Sequence, residues 1–142
     1  TVAVGKVDKA TRKLLKVSEQ SLYRGIKMAQ PGKTLNDIGQ AIEEYCFNQG
    51  YSVVKDFVGH GVGHEVHEAP DVFNYEIDPR SPENLVLVPG MVLAIEPMVN
   101  AGTWRVKIAP NGYTALTADG SLSAHFEHTV AVTAKGPIIL TQ

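Results

Sequence analysis

Apolar positions fall into two regimes along this chain, helically spaced before Gly50 and strand-like after it. In the first regime Leu14, Leu15, Ser18, Leu22, Ile26 and Ala29 recur on or near one face. That spacing predicts a helix capped by Asp8 and running to about Ala29, with basic residues over much of the remainder. Pro31-Gly32 ends it. Thr34 opens a second helix, and Asp37 three positions on makes a variant capping box with Asp in place of Glu. Leu35, Ile38, Ile42, Tyr45 and Cys46 form its apolar stripe, and Gly50 supplies the stop. Two helices joined by a short turn favour an antiparallel hairpin.

Beyond Gly50, the segments 51–54, 85–87, 91–99, 104–108, 113–116, 124–133 and 138–141 read as strands. Turn signals separate them: Pro89-Gly90, Asn100-Ala101-Gly102, Pro110-Asn111-Gly112 and Asp119-Gly120. Asn111-Gly112 is a type I′ hairpin signal. The stretch from Ala69 to about Asn84, with prolines at 70, 79 and 82, reads as irregular. Helices followed by hairpin-linked strands give an α+β fold, with the helices packed on one face of a strongly curved antiparallel sheet. No repeat at solenoid period and no low-complexity linker interrupts it.

At 142 residues the chain supports one domain, 1–142, or a large part of one. A net charge of -2 with scattered basic residues gives nucleic acid no footprint. No apolar run approaches the roughly 18 residues a membrane span needs. Cys46, the single cysteine, excludes a disulfide framework within the chain and favours a reducing compartment. The opening Thr1-Val2-Ala3-Val4-Gly5 looks like the end of a strand, which raises the expectation that sequence is missing upstream.

Chemistry concentrates in three places. Residues 59–68 hold His60, His64, Glu65, His67 and Glu68 among glycines. Glu96 interrupts the apolar run Met91–Val99, which has no polar face to receive it, and Pro97 then breaks the ladder. Glu127 lies inside His125-Phe126-Glu127-His128-Thr129-Val130, where periodicity alone leaves it open between ligand and surface glutamate. A carboxylate in a buried strand costs several kcal/mol unless an opposite charge meets it. A divalent cation is the partner that one imidazole and two carboxylates suit, so His60, Glu96 and Glu127 are the candidate ligands. A lone histidine between glycines is more often structural, and the pairing with the two glutamates is what changes that. His67 stands open between a surface residue and a hydrogen-bond donor to a substrate carbonyl or developing oxyanion. His64, His125 and His128 are structural or ligand-supporting candidates. Carboxylate-rich ligation leans toward Mn²⁺ or Fe²⁺, with Co²⁺ and Zn²⁺ possible.

In Gly59-His60-Gly61-Val62-Gly63, Ile95-Glu96-Pro97-Met98-Val99-Asn100-Ala101-Gly102 and Ser121–Thr129 the sequence resembles the type I methionine aminopeptidases, of the pita-bread fold. The likeness runs over essentially the whole chain, and the two glutamate segments are its most specific part. It implies removal of the initiator methionine from nascent chains in the cytoplasm, with the N-terminus of a peptide as partner. It implies two divalent metals held by two aspartates, one histidine and two glutamates: His60 and Glu96 on one metal, Glu127 bridging both. His67 matches the histidine at the scissile carbonyl, Glu96 is also credited with proton transfer, and Tyr113 matches an aromatic position at the methionine pocket. Val66 replaces a bulky aromatic there.

The two aspartates of the pattern precede the segment that matches Val4-Gly5. None of Asp8, Asp37, Asp56, Asp71, Asp78 or Asp119 has the strand context to replace them. The expectation is therefore the C-terminal portion of a pita-bread domain, binding metal weakly and turning over little alone. An upstream segment in trans, or edge pairing with a second copy, would cover the sheet edge this leaves. Two alternatives remain: a proline-specific aminopeptidase or dipeptidase, toward which His64–Pro70 leans and away from which Met98–Gly102 leans, and a non-catalytic peptide-binding module.

Overall fold

The computed structural model describes residues 1–141. Asp8 caps α1 (Lys9–Met28), its Oδ1 accepting from the Thr11 N–H at 2.7 Å. The Thr34/Asp37 capping box opens α2 (Leu35–Asn48). Leu14, Leu22 and Ile26 of α1 pack with Leu35, Ile38 and Ile42 of α2 in one core, and Cys46 is fully buried there as a small apolar residue. The helices pack as the expected pair and lie against the strands: Ser18 Oγ, buried within α1, donates to the Ala124 carbonyl at 3.2 Å.

The strands are β1 (Ser52–Val53), β2 (Gly59–Gly61), β3 (Glu68–Val72), β4 (Val92–Ile95), β5 (Met98–Asn100), β6 (Val106–Ile108), β7 (Ala115–Thr117), β8 (Ser123–His125), β9 (His128–Thr133) and β10 (Gly136–Ile139). All pairings are antiparallel. They form a five-stranded sheet ordered β10-β9-β4-β2-β3, a three-stranded sheet ordered β1-β5-β8 and the ribbon β6-β7.

The two larger sheets are joined by one interrupted ribbon. The expected strand 91–99 breaks at Glu96-Pro97, and 124–133 breaks at Phe126-Glu127. Ile95 pairs with His128 on one side of the break, and Met98 pairs with His125 on the other. The register therefore passes through without a slip, setting Glu96 across from Glu127 and Pro97 across from Phe126. Leu93, Ile95, Val99, Ala124, Val130 and Val132 face the helices and are buried. The opposite parity, which carries Ala94, Glu96, Met98, His125 and Glu127, faces away from that core.

Three expectations need correction. Residues 69–72, read as irregular, belong to β3, an edge strand, where Pro70 is tolerated. That placement also gives Asp71 a strand context, directly across from His60. Residues 85–87 make no strand of a sheet; their backbone bonds go to the interhelical turn, with one isolated bridge from Val86 to Thr34. Asn111-Gly112 is not a two-residue type I′ turn. That turn needs positive φ at both central residues, and only Gly112 has it, with φ 71°. Instead the Gly112 N–H donates to the Ala109 carbonyl at 2.9 Å within a longer loop.

Candidate metal centre

β2 is short because glycine lets three backbones crowd together. A Cβ on Gly59 would collide with the Ala94 carbonyl oxygen of β4, and one on Gly61 with the Ala69 carbonyl oxygen of β3. This close approach places His60 across from Ala94 and, two residues along that strand, beside Glu96. The His60 Nδ1 lies 2.8 Å from the Gly61 carbonyl oxygen. A carbonyl can only accept, so Nδ1 is the donor of that contact and Nε2 is the nitrogen turned toward the Glu96 carboxylate. That Nε2 stands 3.5 Å from Glu96 Oε1.

On the other side of the carboxylate, His125 Nε2 lies 3.4 Å from Glu96 Oε2. Although the His125 side chain is 44% exposed, its Nε2 is buried and has no hydrogen-bond partner. Glu96, His125 and Glu127 each offer one ligand atom, all within 4.8 Å of one another, a spacing that could hold a metal ion. Carboxylates directly opposite on paired strands repel. A divalent cation removes that repulsion and uses the orphaned nitrogen, so the donors present fit such an ion.

His67 lies at the end of the exposed segment Gly63–His67, which is folded back by the Glu68 carboxylate accepting from the Glu65 N–H at 2.8 Å. Its ring sits 4.0 Å, centroid to centroid, from that of His60. The structure thus brings His60, His67, Glu96 and Glu127 to one region. Val66 and Tyr113 are 71% and 91% exposed. His64 is exposed. His128 is structural, its ring nitrogens meeting Thr141 Oγ1 at 3.0 Å and the Tyr23 hydroxyl at 3.4 Å.

Two hollows flank the centre. One, open and about 420 Å³, is lined by His60, His67, Glu68 and Asp71. The other, about 200 Å³ and mostly apolar, is walled by Phe57, Met98, Val106 and Leu116. Neither Val66 nor Tyr113 lines them. The residue that sequence reasoning underweighted is His125. Its signal was present: two positions before Glu127 along an extended segment, it shares that residue's face.

A curved antiparallel framework presenting imidazoles and carboxylates to one point is the architecture of a metal-dependent hydrolase. The chain belongs to the metallopeptidase family M24, whose model matches residues 1–134. It is 50% identical over 141 residues to the methionine aminopeptidase of Clostridium acetobutylicum, covering 99% of this chain and 55% of that protein. It is 48% identical to methionine aminopeptidase 1 of Bacillus subtilis, covering 100% and 56%. The crystal structure of the Thermotoga maritima methionine aminopeptidase superposes with a TM-score of 0.92 at 45% identity, covering 98% of this chain and 55% of that one. The prolidase of Pyrococcus furiosus is more distant, with a TM-score of 0.72 at 26% identity, covering 99% and 35%. The chain spans about half the length of the methionine aminopeptidases it matches.

Proposed function

We propose that residues 1–142 form the C-terminal, ligand-bearing portion of a cytoplasmic methionine aminopeptidase that removes N-terminal methionine from nascent chains and peptides. The observation that carries this reading is Glu96 set across from Glu127 with His60 at 3.5 Å, within an M24 chain. His60, Glu96 and Glu127 would hold divalent metal, two ions in the complete enzyme, with two aspartates contributed from outside these residues. When bound, such ions polarise a carbonyl and lower the pKa of water toward about 7.

The chain's own side chains supply the rest. His67, its ring tilted 38° to that of His60 with centroids 4.0 Å apart, would donate a hydrogen bond to the scissile carbonyl and to the oxyanion that develops on it. Glu96, between two imidazoles, would take the proton that water loses and pass it to the departing amine. The apolar hollow beside Met98 suits an unbranched apolar side chain.

The test joins residues 1–142 to an upstream segment carrying the two aspartates. That protein should release methionine from Met-Ala-Ser and leave Xaa-Pro peptides intact. His67→Ala should lower kcat by about 100-fold or more, and the 142-residue chain alone should release little. Preference for Xaa-Pro peptides, or vigorous turnover by the 142-residue chain with added metal, would overturn the reading.

A further inference from the structure

We propose that His125 is a metal ligand of this protein, completing with Glu96 and Glu127 a three-donor cation site beside His60. The proposal rests on the metallopeptidase reading and extends it to a residue for which the sequence suggested only a supporting role.

Geometry carries the argument. Donor atoms about 2.1 Å from a tetrahedral cation stand about 3.4 Å apart. His125 Nε2 and Glu96 Oε2 are 3.4 Å apart, and His60 Nε2 and Glu96 Oε1 are 3.5 Å apart. Both separations exceed those of a charge-assisted hydrogen bond, about 2.7–2.9 Å. The His125–Glu96 pair, with Glu127 offering a third atom within 4.8 Å, matches ligands facing a common ion instead. His125 Nε2 is buried without a partner, a state that costs free energy unless something is bound there. Its backbone is well held. The His125 N–H donates to Thr1 Oγ1 at 2.9 Å, its carbonyl accepts from that hydroxyl at 2.9 Å, and Ala124 beside it is anchored to Ser18 of α1. An imidazole beside two carboxylates also shifts the preference toward Zn²⁺ and away from the ions that take only oxygen ligands.

Isothermal titration of the 142-residue chain with Zn²⁺, beside His125→Gln, Glu96→Gln and Glu127→Gln, tests this, with circular dichroism to confirm that each variant folds. The expected result is one Zn²⁺ per chain and a loss of at least about tenfold in affinity for His125→Gln. Ring-nitrogen NMR of the unsubstituted chain should show the His125 Nε2 resonance moving to the metal-bound range on Zn²⁺ addition. Unchanged affinity in His125→Gln, or an unmoved Nε2 resonance, overturns the role of His125. If Glu96→Gln and Glu127→Gln still weaken binding, the metallopeptidase reading survives that result. If no variant weakens binding, or the unsubstituted chain binds no Zn²⁺, the His125 site is overturned, while the metallopeptidase reading stands or falls on the Met-Ala-Ser assay of the protein that carries both aspartates.

Discussion

Asp119 illustrates how one exposed carboxylate organises a loop. Its Oδ2 accepts from the Thr103 N–H at 2.7 Å and its Oδ1 from the Ser121 N–H at 3.0 Å. These bonds, that from Thr103 first, favour the charged form and bring its pKa from 3.8 down to about 2. A carboxyl depressed in the folded state contributes stability above its unfolded value, and that contribution is lost as pH falls from about 4 toward about 2. Asp119→Asn should therefore flatten the acid side of the urea-midpoint profile in this window and lower the midpoint at pH 7. An unchanged profile would show that the loop does not depend on the ionised group. At this scale the sequence was readable where a residue violated its surroundings. Glu96 stood out because the apolar run around it had no polar face. His125 did not, because its significance lies in what meets it across the ribbon, and one strand read alone does not reveal its partner.

Among elements, the helices were the most legible, because their periodicity and caps are local. Thr34 and Asp37 show this: the Thr34 hydroxyl accepts from the Asp37 N–H at 3.3 Å, and the Asp37 carboxylate accepts from the Thr34 N–H at 2.8 Å. Thr34→Ala should destabilise the protein by about 1 kcal/mol in denaturant titration, and no loss would mean that tertiary packing alone sets the start of α2. The strands were legible as apolar runs but not in their pairing. β3 escaped notice because its proline removes a donor only on an unpaired edge. Residues 85–87 have strand composition, yet they pair with the turn that joins the helices. The two long runs, 91–99 and 124–133, each divide at a glutamate, and only the register shows that both divisions are one event.

For the whole molecule, the helices cover one face of the sheets and the candidate metal donors lie on the other. Composition and helix-then-strand order were enough to give the α+β class, since they depend on which residues must be buried and not on distant contacts. The division into separate sheets was not readable, because it depends on that shared break. No helix among the described residues is long and apolar enough to cross a membrane.

The break has a mechanical meaning. Glu96 and Glu127 occupy the seam between the five-stranded and three-stranded sheets, where the ladder lapses and chain connectivity, core packing and an Asn74 side-chain bond to the Glu96 carbonyl carry the load. An ion clasped at the seam works as a rivet, so metal loading should slow amide hydrogen exchange in β4 and β9 and, in step, in β5 and β8. Slowing confined to one sheet would mean that the seam transmits nothing. If both stiffen together, the cation that serves the chemistry also sets the angle at which the two plates meet.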